Sequence, residues 1–179
     1  VVGGRHEIAP SGRRTNGYRC KGEKMSEPKE DKSQYKADNP AWSVAFDAAA
    51  AAALLADVTA PWVRDLGLEV TEITPSRSRF FLPFSDRLTR DAGMICGQAI
   101  VAAADTAMIA AVTAAIGSYA PITTVDIASR FLRPLGADGG DITVDILKAG
   151  RRLVVGRISI ADRASGKLAA ELNSTYARL

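Results

Sequence analysis

Histidine is almost missing from this chain: the 179 residues include one, His6, close to the N-terminus. Its absence elsewhere excludes Ser-His-Asp hydrolysis and histidine-based zinc sites from a folded part downstream. Acid–base chemistry there must fall mostly to a carboxylate. Cysteine is scarce too. Cys20 and Cys96 stand far apart in different kinds of segment, so no disulfide framework is expected and a reducing compartment fits. Nor is there much excess charge. The formal net charge of +3 is too small to argue for nucleic acid, and much of it comes from Arg5, Arg13, Arg14, Arg19, Lys21 and Lys24. No apolar run follows these basic residues in the manner of a secretory signal.

What is present is ordinary for a globular domain: 47% hydrophobic and 24% charged residues. Residues 1–40 are polar and charge-rich without apolar periodicity, which predicts a disordered tail. Met25-Ser26-Glu27-Pro28 reads like an ordinary protein start, so residues 1–24 are expected to be an upstream extension. Residues 41–179 are expected to form one domain.

Within that domain one stretch stands apart. Residues 97–116 are apolar and alanine-rich, with Asp105 in the middle. The stretch is long enough to span a membrane. Alanine inserts poorly, however, and an Asp near the centre costs roughly 2.5–3.5 kcal/mol, which argues against a span. It reads instead as a buried central helix that stops at Gly117. An earlier helix is predicted over 41–58, ending near Thr59-Ala60-Pro61. Strands are predicted at 67–73 and 78–83, joined as a hairpin, with a loop over 85–95. After the central helix come only strands, at 122–132, 142–147, 153–160 and 168–176, expected as a meander. The alternation of Ile142, Val144 and Ile146 with Thr143 and Asp145 is that of a sheet with one face buried. The economical cover for one long apolar helix is an α+β fold with a curved antiparallel sheet wrapped around it.

Three segments resemble the hot-dog fold, specifically acyl-CoA thioesterases of the phenylacetate-pathway type. The first is Cys96-Gly97-Gln98 followed by Ala104-Asp105, where the family has His-Gly-Gly, an apolar spacer and Leu-x-Asp. The second is Thr124-Val125-Asp126 running to Phe131-Leu132-Arg133-Pro134, similar to the family's Thr/Ser-x-Asp-x-x-x-x-Phe-Leu-Arg-Pro strand. The third is Lys148-Ala149-Gly150-Arg151, similar to its Lys-x-Gly-Arg turn. Two departures stand out. Cys96 and Gln98 replace a histidine and a glycine, and Arg90-Asp91 occupies a loop where many members place an asparagine.

The resemblance implies a cytoplasmic thioesterase that hydrolyses an acyl-CoA. Asp105 would be the nucleophile or general base, the Gly97 amide the oxyanion donor, and Thr124 a hydroxyl that positions water. Arg151 and Arg152 are candidates for the coenzyme A phosphates. No metal or redox cofactor is implied, since coenzyme A enters as part of the substrate. The family's histidine-dependent dehydratase relatives are disfavoured by the missing histidine. The alternative is a non-catalytic hot-dog module that binds acyl-CoA or another acyl ligand. Cys96 reads as a small buried residue, because a cysteine nucleophile usually needs a nearby base. One length argument bears on assembly. Gly97 and Asp105 are separated by about 12 Å along one helix, too far for one carbonyl to touch both. Joint action then requires two antiparallel helices from two chains, hence a homodimer or homotetramer. No nucleic-acid or membrane partner is expected.

Overall fold

The computed structural model describes residues 46–179. The expectations for residues 1–40, including the start at Met25, lie outside the described residues, as do 41–45 of the first expected helix.

That first helix, α1 (Ala48–Val58), begins later than the sequence pattern suggests. Asp47 stands before it in extended conformation and accepts a hydrogen bond from the Ala50 amide, so the carboxylate caps the helix and fixes its start. Pro61 was expected only to end α1. It also opens a second, four-residue helix, α2 (Pro61–Arg64), because proline at the first helical position forfeits no intrahelical hydrogen bond. Arg64 then donates to the carbonyls of Ala56 and Thr59, closing the end of α1.

Strands β1 (Glu69–Ile73) and β2 (Arg77–Leu82) form the expected hairpin. The expected loop over 85–95 contains two short 3-10 turns and a two-residue ladder, β3 (Thr89–Arg90) against β4 (Met94–Ile95). The chain reverses there through Ala92 and Gly93, both at positive φ. Helix α3 (Gly97–Ile116) follows. Its C-terminal cap is Gly117, left-handed at φ 75°, whose amide donates to the Thr113 and Ala114 carbonyls.

Four long strands complete the chain: β5 (Ile122–Phe131), β6 (Gly140–Ala149), β7 (Leu153–Asp162) and β8 (Leu168–Arg178). Only β6, β7 and β8 form a meander. The six-stranded antiparallel sheet runs β1-β2-β6-β7-β8-β5, so β5 is not beside β6 as a simple meander would place it. It pairs with β8 and forms an edge. Alternating polarity fixes which face of a strand is buried, but not which strand lies beside it.

The core is the contact between α3 and the concave face of this sheet. Ala103, Ala104, Ala107, Ala110 and Ala111 are fully buried, and their small side chains let the sheet approach the helix closely. Inward residues of β6, Ile142 and Val144, are buried, whereas their neighbours Thr143 and Asp145 are not. On the outer face Asp145 bridges Arg77 of β2 and Arg157 of β7, at 2.6 and 3.2 Å. The hydrogen bond from Arg77 holds the Asp145 carboxyl below the usual carboxylate range. Helix α1 packs against α3 and β1.

The helix meets the sheet closely at Gly156. A Cβ placed there would lie 2.6 Å from the Met108 sulfur, so any larger residue would force the end of the methionine side chain to move. Met108 is fully buried. Met108→Ala should therefore cost about 2–5 kcal/mol of stability and Gly156→Ala about 1–3 kcal/mol. The double variant should lose clearly less than the sum, because the new methyl enters the space vacated by methionine. Denaturant unfolding of all four proteins measures this, and strict additivity would contradict the contact.

Candidate functional site

Asp105 lies mid-helix on α3, on the side that the sheet does not fully cover, and is partly buried. Two hydroxyls meet its carboxylate, both from adjacent strands. Thr124 of β5 donates to Oδ1 at 3.0 Å, and the Tyr176 hydroxyl of β8 lies 2.5 Å from the same oxygen. Tyr176 is also 2.9 Å from the main-chain carbonyl of Asp105. Thr124 and Tyr176 are direct cross-strand partners, so one rung of the sheet supplies both hydroxyls. The β5–β8 register slips between Thr124 and Asp126, a bulge at Val125. The extra residue lets both Thr124 and Ile127, three positions apart, face the helix.

Tyr176 is 2% exposed. Burial, reinforced by the Asp105 carboxylate beside it, pushes its hydroxyl far above the ordinary tyrosine range, with the Thr124 hydroxyl acting weakly the other way. The phenol is therefore a neutral donor at every physiological pH. Sequence reasoning missed it. The available signal was its phase: Tyr176 follows Leu172 and Ser174 on the inward face, and a buried tyrosine hydroxyl needs a partner.

The other carboxylate oxygen, Oδ2, has no hydrogen-bond partner among the described residues. No buried side-chain oxygen or nitrogen there is left unpaired, so Oδ2 is accessible, and Asp105 lines a groove. That groove holds about 650 Å³. Helix α3 contributes Gly97, Gln98, Val101, Ala102 and Asp105, and β5 contributes Thr124, Ile127 and Phe131. The sequence candidates Gly97, Asp105 and Thr124 thus share one groove.

Gly97 is the first residue of α3, and Cys96 before it provides no side-chain cap. The first amides of the helix are therefore available to an anion or a polarised carbonyl. The chain is anchored here by the Cys96 amide donating to the Leu88 carbonyl and the Ile95 amide to the Leu135 carbonyl. Among the described residues no neighbouring helix presses on Gly97. Its α-carbon faces the Phe131 ring, which would lie 3.2 Å from an added Cβ. Phe131 is 53% exposed and also lines a second groove of about 420 Å³ with Gly97, Arg90, Met94 and Arg133. Phe131 stands between the two grooves at the helix N-terminus.

Cys96 is half-buried rather than fully buried. Arg151 and Arg152 occupy the β6–β7 turn, are exposed, and line neither groove. The register places that turn at the Thr123 end of the sheet, with Leu153 opposite Ala177 and Ala177 opposite Thr123. Among the described residues no three His, Cys, Asp or Glu side chains converge as a metal site would require. Gly97–Ile116 is long and apolar enough to cross a membrane by length and composition, but 67% of its apolar window is buried inside this fold.

No family model matches the sequence, and no curated protein sequence does. Solved structures do share its architecture. A thioesterase from Haemophilus influenzae is 21% identical with a TM-score of 0.64, over 70% of this chain and 87% of that one. The E. coli PaaI protein from the phenylacetic acid degradation operon is 18% identical with a TM-score of 0.62, over 74% and 93%. Thioesterase superfamily member 2 from zebrafish is 24% identical with a TM-score of 0.61, over 70% and 91%. These likenesses establish the hot-dog fold.

The raised Tyr176 hydroxyl has a consequence for stability. A group that holds its proton more tightly when folded stabilises fully below its unfolded value, near 10, and that contribution is lost as pH rises above it. Between about pH 10 and 11.5 the unfolding free energy of the wild type should fall more steeply than that of Tyr176→Phe, by up to ~1.4 kcal/mol per pH unit. Urea unfolding at a series of alkaline pH values measures the two slopes. Equal slopes would mean that Tyr176 ionises normally in the fold.

Proposed function

We propose that this chain is a thioester hydrolase acting on an acyl-CoA, with Asp105 as nucleophile or general base. The observation that carries this reading is the Asp105 carboxylate, pinned through Oδ1 and open through Oδ2, in the same groove as the uncapped α3 N-terminus. Carboxylate and amides are the two elements that thioester cleavage needs without histidine. The fold shared with solved thioesterases supports it.

Two routes fit this atom set. In one, Oδ2 attacks the thioester carbonyl, the carbon–sulfur bond breaks, and coenzyme A leaves as a thiolate that takes a proton from solvent. Water then hydrolyses the resulting mixed anhydride. In the other, Oδ2 takes a proton from a water whose oxygen attacks the carbonyl, and the thiolate leaves and is protonated. Both generate a negatively charged carbonyl oxygen, which the Gly97 amide at the positive end of α3 would stabilise. Thr124, its proton committed to Oδ1, would offer its lone pairs to a water. Neither route calls for a metal or redox cofactor. Arg151 and Arg152 would meet the coenzyme A phosphates only as an exposed, solvent-facing pair.

The separation of about 12 Å between Gly97 and Asp105 along α3 favours a homodimer. The edge of β5, which no strand covers among the described residues, and its exposed Val125 and Phe131 are a suitable surface for a second copy. Two antiparallel α3 helices across that interface would bring Gly97 of one copy toward Asp105 of the other and form two equivalent sites.

The test is thiol release from short, medium, long and aromatic acyl-CoAs by wild type and Asp105→Asn. Turnover should fall about 100-fold or more in the variant, with fold and oligomer intact. No turnover on any substrate would reject the hydrolase. Cys96 and Gln98, standing where the family has histidine and glycine, favour acyl-CoA binding without turnover as the second reading. Equilibrium dialysis with a non-hydrolysable acyl-CoA thioether would then measure it.

A further inference from the structure

Tyr176 belongs to none of the motifs in the sequence, and its hydroxyl is within 2.9 Å of two different oxygens of one residue, Asp105 O and Oδ1. The single phenol proton goes to one of these acceptors or is shared between them; with the phenol oxygen seated against the Asp105 main chain, its bond to Oδ1 restricts χ1 and χ2 of the aspartate. Thr124, opposite Tyr176 in the sheet, adds a second donor to the same Oδ1. Both donors are neutral, so neither quenches the charge of the carboxylate as a paired arginine would. The tyrosine is fixed by the sheet: Tyr176 pairs with Val154 on one side and Thr124 on the other. Its position therefore follows a strand paired on both sides rather than a loop.

We propose that Tyr176 is a positioning residue that assigns the two oxygens of Asp105 to separate tasks, anchoring Oδ1 and presenting Oδ2 as the reacting atom. The inference rests on the thioester-hydrolase reading and adds to it which oxygen reacts and what aims it. Either chemical route requires Oδ2 within attacking distance of a carbonyl carbon or a water. A carboxylate free to rotate would present either oxygen, and would spend much of its time misaligned. Misplacement on the order of 1 Å costs up to about 100-fold in rate. Phenylalanine fills nearly the same volume as tyrosine, so Tyr176→Phe removes the donor while keeping the packing.

The experiment compares steady-state kinetics of wild type, Tyr176→Phe, Asp105→Asn and the double variant with whichever acyl-CoA the wild type turns over. A proton NMR spectrum of the wild type, Tyr176→Phe and Asp105→Asn is the second measurement. Tyr176→Phe should lower kcat by about 10- to 100-fold with KM within about threefold, because aim and not binding is lost. In the Asp105→Asn background the same change should have almost no further effect on residual turnover, since there is no carboxylate left to aim. The NMR spectrum should contain a downfield, slowly exchanging hydroxyl proton that disappears in Tyr176→Phe and shifts in Asp105→Asn. Equal fractional losses in both backgrounds, or an unchanged kcat in Tyr176→Phe, would overturn the positioning role while leaving the hydrolase intact. Absence of the hydroxyl proton would overturn the hydrogen bond itself. A wild type that turns over no acyl-CoA would end the hydrolase reading and the positioning role with it, and that outcome is recognisable before any variant is made.

Discussion

A carboxylate in the middle of an apolar helix is the constraint around which the rest is arranged. Fully buried and unpaired, it would destabilise the fold by several kcal/mol. Three features of the structure offset that cost. Asp105 sits at the margin of the core rather than inside it, Thr124 and Tyr176 converge on one of its oxygens, and the other oxygen is left to the groove. The two hydroxyls come from neighbouring strands, so they meet only when β5 and β8 are paired in one register. The bulge at Val125 belongs to the same requirement, since without it Thr124 and Ile127 would point to opposite faces. The hydrogen-bonding demand of one side chain is thus met by the pairing of two strands.

The alanines of α3 act in the same direction. A helix covered by large side chains would hold the sheet at a distance and leave the phenol of Tyr176 short of Asp105. With Ala103, Ala104 and Ala107 at the contact, the sheet lies close, and Gly156 under Met108 marks the limit of that approach. Close packing also removes freedom. Side chains in a dense interior settle into single arrangements, so the site inherits its precision from the core beside it. Gly97 stands at the opposite extreme, approached by one exposed aromatic ring and leaving its amide accessible.

Much of this was legible in the sequence, and the gaps have identifiable causes. Helix α3 could be read to both ends, because Asp105 is the one charged residue in its apolar run and Gly117 supplies the left-handed cap. The alternation in β6 gave its buried face correctly. The place of β5 was not legible, since alternation carries no information about neighbours. Pro61 reads as a stop signal and the short helix it opens was lost behind that reading. Asp47 does not stand out as a cap in the sequence, because the residues on both sides of it fit a longer helix equally well. Of the groove, the motif residues Gly97, Asp105 and Thr124 could be named in advance. Tyr176 could not, because its importance arises from a contact across 71 positions of chain and an isolated strand tyrosine looks ordinary.

The position of β5 links the site to assembly by a physical argument. Its inner edge is paired to β8, and it carries Thr124 against Asp105 on its inward face. Its outer edge has no strand beside it among the described residues. A ten-residue strand held from one side keeps a row of backbone groups exposed and frays more readily than an interior strand. Any partner that paired with that edge would restrict the motion of β5 and, through it, of Thr124. The donor that shares Oδ1 with Tyr176 would then be held from both sides. Ordering at the edge and ordering at the carboxylate are therefore coupled through one strand, with no conformational relay between them.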